Sequence, residues 1–273
     1  MKTTRTVIEP PKGFSFHFSE LWHYRELFYF FSWRDIKVKY KQTYLGILWA
    51  LIQPLALMLL FTLVFARHFS SSTGNINYNV FVLSGLILWL LFYGATSHAA
   101  ESVIQQASII RKIYFPRLII IGSAMLTAFF DFIIAFVIFL VYALLMNQAF
   151  GWKAVLCFPA GVIVILLAAF GIGSLLASLN VKFRDFRYAL PFLLQFLFFA
   201  SQVVYSINEI KQPWAKMLLR LNPVNSAIEL FRMGLTNGGD ETTILTGLMS
   251  SLILSIAGIF YFRKTEAYFA DLA

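Results

Sequence analysis

Charged residues make up only 13% of this 273-residue chain, and cysteine is represented once, by Cys157. A single cysteine excludes a disulfide within the chain and any Cys-x-x-Cys metal pair. The four histidines are scattered without metal-ligand spacing, at His17, His23, His68 and His98. The sequence therefore predicts no metal site.

Motifs for nucleotide binding and hydrolysis are also missing. The nearest approach to a phosphate-binding loop, residues 258–265, has Arg263 where the second glycine belongs. No serine stands in a Gly-x-Ser-x-Gly elbow, and no pair of carboxylates lies within an apolar run. We expect a protein that is not an enzyme and holds no cofactor. If it drives transport, the energy must come from a separate ATPase subunit or from an ion gradient.

Apolar residues dominate, at 59% of the chain with a mean hydropathy of +0.74. A soluble domain carries about a quarter charged residues, and a chain of this length has no single core large enough for so much apolar surface. The sequence therefore predicts an all-α integral membrane protein. The net charge of +9 lies in short loops beside apolar runs, which indicates membrane topology rather than nucleic-acid binding.

Six apolar runs are long enough to cross a bilayer. The predicted spans are residues 44–66, 80–100, 118–146, 154–179, 188–206 and 242–262. Before them, residues 1–43 form a cytoplasmic lead-in with no apolar signal-peptide region, and its residues 20–36 predict an aromatic amphipathic helix in the membrane interface. Residues 207–240 predict two short helices that dip into the outer interface, hinged at Asn222-Pro223. The membrane domain is thus 44–262, and 263–273 is a cytoplasmic tail.

The distribution of lysine and arginine orients these spans. The predicted inner segments, 1–43, 101–117, 180–187 and 263–273, hold 16 of these residues, and the outer segments hold 6. Since cytoplasmic loops carry the excess of positive charge, we expect both termini to be cytoplasmic.

Asp131 lies near the middle of the third predicted span, where an ionisable side chain is costly. The alternatives are a functional group or a structural hydrogen bond to a neighbouring helix. No second ionisable residue lies as deep in another span, so we favour the hydrogen bond. For the same reason a membrane-embedded enzyme, which needs clustered polar groups at one cavity, is disfavoured.

Three stretches carry a resemblance to a known family. The first is the junction at 35–54, in which a basic run leads through Tyr40-Lys-Gln-Thr-Tyr-Leu-Gly46 to Trp49 and Pro54. The second is Lys112-Ile-Tyr-Phe-Pro-Arg117, and the third combines Asn222-Pro223 with Glu229 and Phe231-Arg232. Together they resemble ABC-2 type exporter permeases, in particular the membrane subunits that export O-antigen, capsular polysaccharide or teichoic acid.

The resemblance implies a homodimer in the bacterial inner membrane that works with two copies of an ATP-binding subunit. Its cargo would be a polysaccharide linked to polyprenyl diphosphate, with O-antigen, and so lipopolysaccharide biosynthesis, as the first expectation. Teichoic acid, capsule, a drug or a small lipid remain alternative cargoes. In this reading the helix at 20–36 is either a membrane anchor alone or a gate helix that also touches the ATPase. Lys37, Lys39 and Lys41 either bind the diphosphate or only reflect the excess of positive charge on the cytoplasmic side.

The resemblance also assigns residues to three roles. The coupling segment that contacts the ATPase is 101–117, with Gln105, Ser108, Arg111, Lys112, Tyr114 and Phe115 as its contact residues. The outer gate comprises Trp214, Asn222, Pro223, Glu229 and Arg232. Candidate channel-lining residues are Tyr44, Trp49, Phe192, Phe196, Phe199 and Tyr205, because aromatic faces stack on the C–H faces of sugars without fixing one register. For each of these aromatics, lipid contact or helix packing is the alternative.

Overall fold

The computed structural model describes residues 22–41, 45–69, 76–183, 185–236, 238–266 and 269. Within these ranges the regular structure is helical and no residue lies in a β-strand. In chain order the helices are α1 (Arg25–Lys41), α2 (Leu48–Phe69), α3 (Tyr78–Gln105), α4 (Ala107–Ile110), α5 (Leu118–Leu145), α6 (Ala154–Lys182), α7 (Asp185–Phe199), α8 (Pro213–Arg220), α9 (Pro223–Thr236) and α10 (Glu241–Thr265). The all-α prediction is confirmed for this part of the chain.

Five of the described helices are long and apolar enough to cross a membrane, namely α2, α3, α5, α6 and α10. They agree with the first four predicted spans and the last to within a few residues. The helix α3 lies at the centre, because 78% of its most apolar window is buried inside the protein, and it packs against α5 and α6. The helix α2 lies at the periphery, with 11% of its window buried.

The predicted fifth span, 188–206, is shorter in the structure than the sequence indicates. The helix α7 has 15 residues and ends at Phe199. It ends there because the following backbone finds partners outside the helix: the amide N–H of Gln202 donates to Asn225 Oδ1 at 2.7 Å. The side chain of Gln202 also donates to the Asn225 carbonyl at 2.8 Å and to Glu229 at 3.0 Å. A helix of 15 residues is about 22 Å long, against a hydrocarbon core of about 30 Å.

In the region predicted as an amphipathic interfacial helix, 20–36, the structure has the helix α1, displaced toward the C-terminus. It packs along α5, where Phe28 lies against Gly122 and Tyr40 lies against Phe130 with ring centroids 5.8 Å apart. Phe31 is buried on this side. Other aromatic residues of this region are exposed: Trp22 just before α1, and Tyr29, Phe30 and Trp33 within it. The helix is therefore anchored to protein while several of its aromatics stay exposed.

Small residues let α6 and α10 approach each other closely. A Cβ atom added to Gly258 would collide with the carbonyl oxygen of Gly171, and one added to Gly171 would collide with the α10 backbone at Leu254. In the same contact, Ser255 Oγ donates to the Leu167 carbonyl at 2.6 Å. Close approach of this kind is the main source of helix association in lipid, where apolar burial gives little driving force.

We predict that Gly258→Ala separates α6 from α10 and lowers the stability of the protein. Overpacking a tight contact costs about 1–3 kcal/mol, since the helix backbones must move apart. The measurement is thermal unfolding of the detergent-solubilised protein, with Ala257→Val as the matched control, because Ala257 is its exposed neighbour. Equal melting temperatures for the two variants would contradict the packing argument.

Candidate functional site

The predicted coupling segment, residues 101–117, lies between two long helices. It contains the end of α3, the single turn α4 and the loop that leads into α5. Its tip, residues 111–114, is exposed, including Ile113 at 51% and Tyr114 at 62%. The predicted contact residues on the exposed side are Gln105, Ser108, Arg111, Lys112 and Tyr114.

Phe115, the remaining predicted contact residue, is only 3% exposed. Its ring packs against Phe31 of α1, with centroids 5.9 Å apart. Arg34 of α1 lies over the Phe31 ring at 5.1 Å and donates from Nη1 to Gln106 Oε1 at 3.1 Å. Phe115 therefore anchors the segment to α1, and a partner protein would meet the tip beside it.

A shallow cavity of about 250 Å³ is formed by the tip itself. Its lining residues are Ile110, Arg111, Lys112, Ile113, Tyr114, Phe115 and Arg117. A basic rim with an aromatic and aliphatic floor suits a side chain that carries an apolar body and a polar or acidic end.

Three of the predicted channel aromatics share one face of α7. Phe192, Phe196 and Phe199 follow the i, i+4, i+7 spacing of a helix face, and each is at least 65% exposed. The hydroxyl of Tyr205 donates to the Phe199 carbonyl at 3.0 Å, so Tyr205 caps the outer end of this row. Tyr44 lies outside the described residues.

A second row of aromatics, which the sequence did not single out, connects α7 to α2. Phe198 stacks on Phe61 with centroids 5.5 Å apart and meets Trp89 edge-on at 5.3 Å. Further out, Phe69 and Tyr205 lie 6.4 Å apart. Phe198 therefore joins α7 to α2 and α3, while the exposed Phe face of α7 lies on another side of that helix.

Trp49 lies in a different place, on the wall of a cavity of about 350 Å³ beneath the end of α1. Apolar walls come from α3 and α5, and the polar groups include His98, Asp131 and Lys39. Lys39 Nζ lies 2.5 Å from Asp131 Oδ2, and the Tyr40 hydroxyl donates to Asp131 Oδ1. Asp131 thus makes the expected hydrogen bonds to a neighbouring helix. The sequence reading missed the partners because they come from α1 rather than from another span.

The segment predicted to lie on the outer side, residues 207–240, is held together by polar side chains. Asn222 Oδ1 accepts from the Val224 N–H at 3.0 Å, and its Nδ2 donates to the Ala200 carbonyl at 3.1 Å. Pro223 then occupies the first turn of α9, where its missing N–H leaves no gap. Glu229 accepts from Gln202 at 3.0 Å and from the Asp240 N–H at 2.9 Å. Gln202 and Asn225 were not predicted; an amide side chain at the end of an apolar run is the signal that points to them.

Arg232 is the most enclosed cation of the outer segment, at 5% exposure. Its Nη2 donates to the carbonyls of Phe81 at 3.1 Å and Val203 at 3.0 Å, and its guanidinium lies 3.3 Å from the centroid of the Phe81 ring. Burial lowers the pKa of Arg232 to about 9, against the attraction of Glu229. Arg232 therefore remains a cation at neutral pH and connects α9 to α3 and to the chain after α7.

The helix α8 presents an apolar face outward. Its exposed residues are Trp214, Met217 and Leu218, with Leu221 after its end. Between α8 and α7 lies an apolar cavity of about 490 Å³, to which Trp214 and Phe196 both contribute. Trp214 thus lies beside the Phe face of α7, whereas the polar outer residues lie behind it, toward the core.

An ion pair joins α8 to the start of α10. Arg220 Nη2 lies 2.7 Å from Asp240 Oδ2, and Asp240 also caps α10 through the N–H groups of Thr242 and Thr243. Burial alone would raise the pKa of Asp240, but hydrogen bonds from Thr242, Arg220 and Thr243 outweigh it and hold that pKa well below its usual value. The contact therefore persists to acidic pH.

Long apolar helices around a buried central helix, with a basic and aromatic knob at one end, define a polytopic membrane protein of the transporter type. The chain belongs to the ABC-2 type transporter family, whose model matches residues 26–236. It is 29% identical over 214 residues to the O-antigen export system permease protein RfbA of Myxococcus xanthus, covering 78% of this chain and 81% of that protein.

Two further relatives cover more of the chain. A protein of the same name from Klebsiella pneumoniae is 26% identical over 240 residues, which is 88% of this chain and 92% of the relative. The polysialic acid transport protein KpsM of Escherichia coli is 22% identical over 237 residues, covering 85% of this chain and 91% of the relative. The family expected from the three sequence stretches is confirmed.

We predict that Asp131→Asn and Lys39→Met each destabilise the protein, while the double variant loses less than the sum of the two. Removing one partner leaves the other without its counter-ion, and removing both does not. The single-variant loss should stay below the roughly 3–5 kcal/mol typical of fully buried pairs. The reason is that the two side chains keep 37% and 29% of their exposure.

The test of this pair is a double-variant cycle by thermal unfolding in detergent, with Asp185→Asn as an exposed acidic control. Strictly additive effects would show that the Lys39–Asp131 contact does not contribute.

We predict that Arg232→Met lowers stability by about 1.5–3 kcal/mol, because a hydrogen bond from a charged donor is lost at the Val203 carbonyl. Arg232→Lys should recover part of this, since it keeps the charge but not the flat face on Phe81. Arg67→Met, at the exposed outer end of α2, is the control. A stability for Arg232→Met equal to that of Arg67→Met would contradict the assignment.

Proposed function

We propose that this chain is the membrane subunit of an ATP-driven exporter for a polyprenyl-diphosphate-linked polysaccharide of the O-antigen class. Two copies form the channel, and each binds one ATP-binding subunit on the cytoplasmic side. Membership of the ABC-2 family supports the transport role, and relatives named for O-antigen and polysialic acid export support a glycan cargo. Capsular polysaccharide is the second candidate cargo, because KpsM is among the relatives.

The observation that carries this proposal is an exposed tip, anchored by a buried residue, at one end of the fold. At one end, the tip at 111–114 is exposed, basic and aromatic, and stands on the buried anchor Phe115. Because this exposed tip is anchored, a force that a bound partner applies to it is passed on to the membrane helices with little deformation of the tip. ATP and magnesium are held by that partner, and this chain supplies the surface on which the partner acts.

The channel is formed where the single chain leaves apolar surface uncovered. The helix α2 is the least buried of the five long helices, and the Phe face of α7 is exposed as well. Facing a second copy, these surfaces would enclose a passage lined by aromatic rings. Because a ring stacks on a sugar without a fixed hydrogen-bond register, a long chain slides past it.

The shortened α7 acts as the sixth crossing in this proposal. It falls about 8 Å short of the hydrocarbon thickness, and the two short helices α8 and α9 fill the outer part as re-entrant elements. An even number of crossings places residues 1–43 and 263–273 on the same side. The excess of lysine and arginine in the inner segments, 16 against 6, supports the cytoplasm as that side.

The experiment co-expresses the chain with its ATP-binding subunit in a strain that lacks its own O-antigen exporter. Restored surface polysaccharide, carried by a complex that hydrolyses ATP, is the expected result. A complex that hydrolyses ATP but restores only a capsule would assign the second cargo. A chain that never retains an ATP-binding subunit would overturn the proposal.

We predict that the double variant Lys112→Ala/Tyr114→Ala reduces the retained ATP-binding subunit by about tenfold or more, since about 1.4 kcal/mol at the interface suffices for a factor of ten. The matched control is Lys211→Ala/Trp152→Ala, which removes one exposed cation and one exposed aromatic residue at the other end of the protein. Quantitative co-purification measures the effect. Equal retention by both double variants would contradict the assignment of the tip.

A further inference from the structure

The exit of the coupling segment is attached to the end of the last helix. The backbone N–H of Arg117 donates to Glu266 Oε1 at 3.2 Å, and the Arg117 guanidinium donates to the carbonyl oxygen of Glu266. Glu266 directly follows α10, so these contacts join two parts of the chain that are 149 residues apart. Arg117, the residue directly before α5, is thus bonded to the residue directly after α10.

An aromatic contact strengthens the same attachment. Phe269 is 1% exposed, and its ring lies 5.1 Å from that of Phe262, which is also fully buried. The Arg117 guanidinium lies over the Phe269 ring at 5.7 Å. Phe269 therefore packs against both α10 and Arg117.

The coupling segment is also held by α1, through Phe31 against Phe115 and Arg34 to Gln106. The segment therefore contacts both an N-terminal helix and the residues that follow α10. Its tip is exposed, while Phe115 beside it is buried.

The helix that carries the tail also reaches the outer segment. With 25 residues, α10 is about 37 Å long. Its outer end is capped by Asp240, which pairs with Arg220 of α8. One rigid element thus contacts the coupling segment at one end and the outer helices at the other.

We propose that Glu266 and Phe269 form a clasp that fixes the coupling segment to α10, so that movement of the tip is transmitted to the last helix as well as to α5. This role rests on the proposed docking of an ATP-binding subunit at the tip. The two clasp residues are positioning residues: they touch neither cargo nor partner but set how the tip moves relative to α10.

The first test uses the chain alone. Cys157 is buried, so it is replaced by Ala, and a spin label is attached to Ile113→Cys at the exposed tip. Glu266→Ala and Phe269→Ala should increase the mobility of the label. Glu266→Gln keeps an acceptor oxygen for the Arg117 N–H, so the label in this variant should be as mobile as in the wild-type chain. Ile256→Ala, at an exposed position of α10, is the control and should leave the mobility unchanged.

The second test uses the complex with the ATP-binding subunit. Both alanine variants should bind the subunit within about twofold of wild type, because the tip is intact. Polysaccharide exported per ATP hydrolysed should fall by about fivefold, a typical size for a coupling effect. Glu266→Gln and Ile256→Ala should export as wild type does.

Three outcomes would overturn the clasp. The first is unchanged label mobility in both alanine variants, and the second is unchanged export per ATP despite a mobile tip. The third is failure of both alanine variants to accumulate in the membrane, which would make the pair a folding element. If the wild-type chain retains no ATP-binding subunit, the proposed function fails, but the label measurement still decides whether the clasp orders the tip.

Discussion

Hydrocarbon offers no hydrogen bonds, and the rest of this structure depends on that constraint. Every polar group that enters the bilayer needs a partner within the protein, so the chain crosses as helices. Where α7 stops, Gln202, Asn225 and Glu229 replace the missing helical partners with side-chain ones. The same residues join the end of α7 to α9. The side chains that satisfy the backbone after α7 therefore also hold the outer segment in place.

The weakness of apolar attraction in lipid explains how the bundle is assembled. Contacts are made by small residues that let backbones touch, as Gly171 and Gly258 do between α6 and α10. Phenylalanine serves both the interior and the surface. Phe158 and Phe231 stack in the core with ring centroids 4.2 Å apart, whereas the Phe face of α7 is exposed.

The sequence predicts the long helices well because hydrophobic length is a local property that needs no knowledge of neighbours. It also predicts the two short outer helices, because Asn222-Pro223 is a local stop and start signal. It does not predict that α7 ends at Phe199, that Phe115 is buried, or that Arg117 meets Glu266. Each of these depends on a partner far along the chain, and one sequence carries no record of which distant residues come together.

The pairing of Lys39 with Asp131 bears on how the chain is made. The lysine precedes the aspartate by 92 residues, so it is synthesised first and is already at the membrane when the third long helix leaves the ribosome. An acidic side chain would otherwise resist transfer from the translocon into lipid. The counter-ion of Asp131 is therefore synthesised before Asp131 itself. A shortened chain that lacks α1 would insert α5 poorly, even though the sequence of α5 is intact.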